Sequence, residues 1–431
     1  MASLLARWLY TLVLRLATPL YLARLWWRGR AEPVYRKRLG ERLGRYALPP
    51  RRGAGGVVWV HAVSYGETKA AAPLVDALRR ELPGMRLLLT CSTATGVQAG
   101  VDVLKPEDDQ AWFPYDTPGA VRRFLKRYRP AVGVIMETEV WPNLMHLAEQ
   151  RHIPMVLANA RLSARSQRKG RRFAHLLRPA LLAFTRVLAQ TARDAQRLRE
   201  MGSRAVEVCG NTKFDAAPPQ GQLVRGRIWR AQVRRPVVLM ASSREGEEDA
   251  LLRIWRALDA PRPLLLVVPR HPQRFDEVAA LAETAGFSVV RRSQWTDTPP
   301  PGFADADVWI GDSMGEMALY YATADVALLG GSFEPLGGQN LIEAAACGCP
   351  LLMGPHTFNF EEAAHLAIEA GAGARMKDLA SAVRHAVALV DDPRRADWVE
   401  QALAFAATHR GANERMAQRI AMLVTGLDSG R

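Results

Sequence analysis

The residues of this chain best placed to do chemistry sit just past short apolar runs. Glu67 follows the run 57–63 in His61-Ala-Val-Ser-Tyr-Gly-Glu67-Thr68, beside a glycine that lets a substrate come close. A carboxylate there can take a proton from a hydroxyl. The alternative is a first-turn acid that complements a helix dipole. A helix N-terminus at this point is expected to lower its pKa and keep it ionised. Glu137 and Glu139 follow the run 132–136 in Met136-Glu-Thr-Glu-Val-Trp-Pro-Asn143. Two carboxylates beside a tryptophan and a proline are costly unless paired or used. In an extended segment they share one face, so one can orient the other's partner. Lys213, in Gly210-Asn-Thr-Lys-Phe-Asp215, can meet a developing negative charge or pair with Asp215 or a neighbouring acid.

The second half carries loops of a different chemistry. Ala241-Ser-Ser-Arg-Glu-Gly-Glu-Glu248, Val268-Pro-Arg-His-Pro272, Gly311-Asp-Ser-Met-Gly-Glu316 and Gly330-Gly-Ser-Phe333 each leave an apolar run. Gly337-Gly-Gln-Asn-Leu-Ile-Glu343 then opens an alanine-rich helix. Glycine-rich loops that feed helix N-termini turn unpaired N–H groups toward an anion, so phosphate can be held without metal. Arg270 adds a cation, and Glu343, in a first helical turn, can reach ribose hydroxyls. These loops together read as a nucleotide site. Asp305-Ala-Asp307 matches the Asp-x-Asp pattern of metal-dependent sugar transfer, but it precedes an apolar run and is read as a solvated loop on the opposite sheet edge.

Strands must place these residues. Apolar runs at 57–63, 87–91, 132–136, 155–158, 187–190 and 206–209 alternate with helical spacing. After a Pro/Gly/Arg-rich break the rhythm resumes at 237–241, 264–268, 308–310, 326–329 and 351–353. Continuous runs of this length are strands buried on both faces. The expected fold is α/β, with two Rossmann-like doubly wound domains facing a cleft and an N-terminal membrane-anchoring helix. The expected segments are an anchor and basic juxtamembrane stretch at 1–46, a first domain at 47–215, a linker at 216–235 and a second domain with terminal helices at 236–431. The absence of a GxGxxG loop disfavours dinucleotide binding.

Composition agrees with a globular body: 48% of the residues are hydrophobic and the net charge is +15, which points to an anionic partner. The four cysteines, Cys91, Cys209, Cys347 and Cys349, show no CxxC spacing and read as buried thiols of a reducing compartment. Residues 4–27 are rich in Leu, Trp and Tyr, but Arg7, Arg15 and Arg24 leave no apolar stretch of the ~18 residues a confident span needs. A tilted span, an interfacial helix and a buried helix all remain open. Arg28, Arg30, Arg36, Lys37 and Arg38 behind it, with Trp26 and Trp27, favour a cytoplasmic body. Residues 1 to about 30 are expected to anchor and not to catalyse.

The motifs, in order, resemble those of the 3-deoxy-D-manno-octulosonic acid (Kdo) transferases of lipopolysaccharide synthesis. They are Ser64-x-Gly-Glu-Thr68, Met136-Glu-Thr-Glu-Val-Trp-Pro-Asn143, Asn159-Ala-Arg-Leu-Ser163, Gly210-Asn-x-Lys-Phe-Asp215, Glu245-Gly-Glu-Glu248, Pro269-Arg-His-Pro272, Gly311-Asp-Ser-Met-Gly-Glu316 and Met353-Gly-Pro-His-Thr-Phe-Asn-Phe360. The resemblance covers nearly the whole chain. It implies a GT-B type glycosyltransferase, with no metal or other cofactor, that moves Kdo with inversion from CMP-Kdo to a phosphorylated lipid A precursor, lipid IVA. The work would be done at the cytoplasmic face of a bacterial inner membrane. By motif position Glu67 is the general base, and Glu137 and Lys213 stabilise the transition state. The CMP contacts map onto Pro269, Arg270, Met314, Gly315, Glu316, Asn340, Leu341, Ile342 and Glu343. Gln339 stands where a histidine is common, and Tyr65 where a smaller residue is usual.

The basic stretch 161–178, interleaved with Leu and Phe, suits a phosphorylated lipid; an ordinary solvated helix face is the alternative. A GT-B transferase using a UDP-sugar and a lipid-linked acceptor is the rival reading. Nucleic acid is not an expected partner, because no aromatic-basic RNA motif accompanies the charge.

Overall fold

The computed structural model describes residues 2–47, 56–215, 217–295 and 298–426, without the side chains of Lys213 and His409. The described residues fall into two compact units, Met1–Asp215 with Gly411–Arg431 and Ala216–Arg410.

The first unit holds a parallel sheet of seven strands: β1 Val57–His61, β2 Arg86–Cys91, β3 Asp109–Trp112, β4 Val132–Met136, β5 Met155–Ala160, β6 Arg186–Ala189 and β7 Val206–Val208. Their order is β3-β2-β1-β4-β5-β6-β7. Alternate side chains of one strand serve two cores, as the period of two requires. Trp59, Leu88, Ile135 and Leu157 pack on one face. Val58, Val60, Leu87, Leu89, Val134 and Val156 pack on the other. That double burial is why these strands read as unbroken apolar runs. The strand order reverses between β1 and β4, so the loops after those two strands flank the crevice where such sheets bind ligands.

The second unit repeats the plan with β8 Val237–Ser243, β9 Leu264–Pro269, β10 Val289–Arg291, β11 Val308–Ile310, β12 Val326–Leu329, β13 Leu351–Met353 and β14 Gly373–Arg375. The order β10-β11-β9-β8-β12-β13-β14 puts its reversal between β8 and β12.

The units differ from the sequence expectation in two places. The stretch expected as a linker, 216–235, contains the helix Gln220–Gln232, with Leu223 and Trp229 buried, and belongs to the second unit. The chain's C-terminal end belongs to the first. The last helix, Ala412–Thr425, packs with the first unit, although residues 236–431 were expected to form one domain. Ala412, Met416, Ala417 and Ile420 are fully buried in the core that contains Leu74, Leu78 and Val134. Burying a side chain such as Ile420 contributes about 1.5–3 kcal/mol.

The N-terminal helix spans Ala2–Arg28. Leu5, Trp8, Leu9, Leu16, Leu20 and Trp27 are exposed on it, whereas Thr11 and Leu25 are buried. Among the described residues no helix is long and apolar enough to cross a membrane, because arginines interrupt this one.

Candidate active site

In the first unit, the acidic groups at the carboxyl ends of β1 and β4 gather at the strand-order reversal. Glu67 lies in the first turn of the helix Tyr65–Glu81, whose N-cap is Ser64. The Val63 N–H donates to Glu67 Oε2 at 2.8 Å, and the Ser64 hydroxyl donates to Oε1 at 3.3 Å. The local alternative for Glu67 is therefore realised as a capping arrangement, legible in the sequence as Ser-x-x-Glu. The capping bonds leave acceptor capacity on both oxygens. The expected direction of its pKa is corrected: burial raises it, and the negative charges of Glu137 and Glu139 raise it further. These outweigh the Val63 N–H and His61. Helix-end stabilisation loses here because the carboxylate is half buried beside like charges.

Glu137 and Glu139 do not share one extended face. Glu137, the first residue after β4, lies in the left-handed region at φ 61°, a conformation costing about 1–3 kcal/mol for a non-glycine residue and typical of functional sites. The bend turns the two carboxylates to different partners. Arg161 Nε donates to Glu137 Oε2 at 2.9 Å. Glu139 Oε2 accepts from Trp141 Nε1 at 2.9 Å and lies 3.3 Å from His61 Nε2. His61 stacks on Phe113 with ring centroids 3.9 Å apart, and its Nδ1 lies 2.9 Å from Thr90 Oγ1.

The side chain of Lys213 lies outside the described part of the structure. Its backbone belongs to the short helix Thr212–Asp215, and Asn159 holds that helix in place. Asn159, buried and at φ 50°, accepts from the Thr212 N–H through Oδ1 at 3.2 Å. Asp215, at the end of the same short helix, accepts the backbone N–H groups of Ala412 and Asn413.

In the second unit the strands β8, β9, β11 and β12 carry the expected loops to one sheet edge. Pro269 is buried, and Arg270 is exposed at the tip of β9, with its N–H donating to the Ser243 carbonyl at 3.0 Å. Met314 is exposed. The Gly315 carbonyl accepts from Gln222 Nε2 at 2.8 Å. Glu316 pairs with Arg292 at 3.0 Å and accepts from the Ser313 hydroxyl at 2.6 Å. Asn340 caps the helix Leu341–Ala346 by accepting from the Ile342 N–H. The Leu341 and Ile342 side chains are fully buried, so only their backbone groups are available to a ligand. Glu343 is raised in pKa by burial alone.

Sequence reasoning missed what joins these loops. Glu247, almost fully buried, accepts from the N–H groups of Arg244 at 2.9 Å, Gly331 at 2.8 Å and Phe333 at 3.2 Å. It thereby ties the loop after β8 to the loop after β12, across the reversal point. Its neighbour Glu248 accepts from Arg274 at 2.9 and 3.0 Å and from the Ser243 hydroxyl at 2.9 Å, which adds the loop after β9. Gly330 is required where these loops meet, because a Cβ there would lie 2.3 Å from the Ser242 carbonyl oxygen. The motif Glu245-Gly-Glu-Glu248 was visible, but its role depends on partners far along the chain.

Asp307 precedes β11, at the amino edge of the sheet, with its carboxylate on the Ser288 N–H at 3.0 Å and hydroxyl at 2.7 Å. Cys91, Cys209 and Cys349 are buried and Cys347 is half buried, all as free thiols.

Two parallel seven-stranded α/β units, with polar loops at both reversal points, resemble the fold of GT-B glycosyltransferases. A solved glycosyltransferase from Rickettsia africae ESF-5 shares that fold at a TM-score of 0.56 and 12% identity, over 87% of this chain and 100% of its own. Residues 37–216 match the family model described as 3-Deoxy-D-manno-octulosonic-acid transferase (kdotransferase). The 3-deoxy-D-manno-octulosonic acid transferase of Bordetella pertussis is 47% identical over 95% of this chain and 97% of its own. That of Haemophilus influenzae is 36% identical over 88% and 90%. The chain belongs to the 3-deoxy-D-manno-octulosonic acid transferase family and is a glycosyltransferase.

Proposed function

We propose that this enzyme transfers Kdo from CMP-Kdo to the phosphorylated lipid A precursor lipid IVA, with inversion and without a metal ion. The observation that carries this reading is Glu67, a half-buried carboxylate at the β1–β4 reversal that is held by the Val63 N–H yet keeps acceptor capacity for a hydroxyl proton, with its pKa raised by burial. The acceptor hydroxyl oxygen forms the new bond to the anomeric carbon of Kdo while Glu67 takes its proton. The bond from that carbon to the CMP phosphate breaks, and the electron pair leaves with CMP. CMP is already an activated leaving group, so stabilising its charge matters more than protonating it. Lys213 and Arg270 supply positive charge for this, and Glu137 favours the positive charge that develops on the sugar. Glu343 and the loops that meet through Glu247 and Glu248 hold the nucleotide.

The apolar face of the N-terminal helix and the basic residues that follow it favour attachment to the cytoplasmic face of the inner membrane. The exposed apolar residues and interrupting arginines fit a helix lying in the interface. The test is incubation with CMP-Kdo and tetraacylated lipid A precursor, followed by product mass. A gain of Kdo mass supports the assignment. Transfer from a UDP-sugar with none from CMP-Kdo overturns it.

A further inference from the structure

The N-terminal helix has a second, polar face, and it touches the base of the loop that carries Glu137 and Glu139. Tyr10 Oη donates to Asp116 Oδ2 at 3.1 Å. The Thr11 hydroxyl lies 3.0 Å from Asn143 Nδ2 and 3.2 Å from Asn143 Oδ1. Thr11, Asp116 and Asn143 are all nearly fully buried. Asp116 in turn accepts from the N–H groups of Asn143 at 2.9 Å and Leu144 at 2.7 Å. These are the opening residues of the helix Pro142–Glu149. Immediately before that helix, Trp141 donates to Glu139, and Glu139 faces His61.

We propose that Tyr10 and Thr11 are positioning residues for transfer, setting the 137–141 loop through Asp116 and Asn143. The N-terminal helix then does more than anchor. Its apolar face is turned outward, and its inner face fixes the far end of a loop whose near end, Glu137, is held in a strained conformation. Losing the Thr11 hydroxyl removes the hydrogen bond to Asn143 Oδ1, and losing the Tyr10 hydroxyl leaves the Asp116 carboxylate only the two N–H groups that open the helix Pro142–Glu149. The proposal rests on the transferase reading above.

The test uses full-length protein in detergent micelles, so that membrane attachment does not enter the rate. Tyr10→Phe, Thr11→Val and Thr11→Ser are compared with wild type for kcat, for the CMP-Kdo KM and for amide hydrogen exchange of residues 137–145. Tyr10→Phe and Thr11→Val are expected to lower kcat by about 10- to 100-fold, the scale of a small misplacement. Exchange in 137–145 should quicken, and the donor KM should hold. Thr11→Ser, which keeps the hydroxyl, should restore both readouts. Wild-type kcat and exchange in folded Tyr10→Phe and Thr11→Val overturn the proposal. If one of these two does not fold, the other decides. An equal loss in Thr11→Ser and Thr11→Val also overturns it, because the hydroxyl is then not what acts. A wild-type enzyme that fails to transfer Kdo defeats the transferase reading instead.

Discussion

Asp215 accepts the backbone N–H of Ala412 at 3.0 Å, across 197 positions of sequence. A carboxylate at the end of one β-α array thereby caps the final helix of the chain and holds it on the first unit. Asp215→Ala is expected to destabilise the protein by about 0.5–2 kcal/mol, the range for a lost N-terminal cap. Urea denaturation followed by circular dichroism checks it. Ending the chain at residue 410 should be far worse, because it uncovers the core around Leu74 and Leu78. A truncate as soluble and as stable as wild type would contradict the packing role.

Glu67→Gln keeps an oxygen to accept the Val63 N–H but cannot take a proton. Turnover is expected to fall by about 10²–10⁴-fold. CMP-Kdo affinity should change little, because the loops proposed to hold the nucleotide belong to the second unit.

The same variant has a stability signature with a definite sign. Glu67 is raised above its ordinary value of 4.5, so between that pH and its folded pKa the folded state binds more protons than the unfolded state. Stability therefore falls with rising pH through this window, and ionised Glu67 is a net burden at neutral pH. Glu67→Gln should melt higher than wild type at pH 7, with the difference disappearing below about pH 4.5. In the wild type, kcat should rise with pH through the folded pKa as the base ionises. An unchanged acid limb in Glu67→Gln's residual activity would assign the base to another group.

Glu343 and Glu247 should separate ligand recognition from scaffolding. Glu343 is raised in pKa by burial with no other contribution, so Glu343→Gln should leave thermal stability unchanged or higher. CMP binding by calorimetry should weaken about tenfold, the scale of a lost hydrogen bond to a charged group. Glu247→Gln, by contrast, replaces one acceptor oxygen by a donor facing backbone N–H groups. It should cost about 1–3 kcal/mol of stability as well as weakening CMP.

Activity should survive exhaustive chelation. Asp307 already accepts from Ser288 at the amino edge of its sheet, the edge opposite the loops proposed to hold the nucleotide. A large loss restored by magnesium or manganese would count against the proposed mechanism.

What the sequence determined by itself is what lies within a short window. Apolar runs such as 57–61 and 237–241 announce strands because a parallel strand is buried on both faces, and the break after 215 separates two such arrays. The residues just past each run are brought to the carboxyl edge of their own sheet by the parallel direction of the strands, which is why Glu67 and Glu137 in the first unit and Arg270 and Glu316 in the second stand out as candidates. Only the tertiary structure decided the rest. The last helix could not be assigned from its own spacing, because its apolar stripe fits either unit until Met416 and Ile420 find Leu74 and Leu78. The pKa of Glu67 depends on burial and on two carboxylates some 70 residues away, which outweigh the local helix end. Glu137 and Glu139 part company because a left-handed residue breaks the alternation of the strand. Glu247 looked like one acid among several until its three backbone donors, two of them on a distant loop, were brought to it.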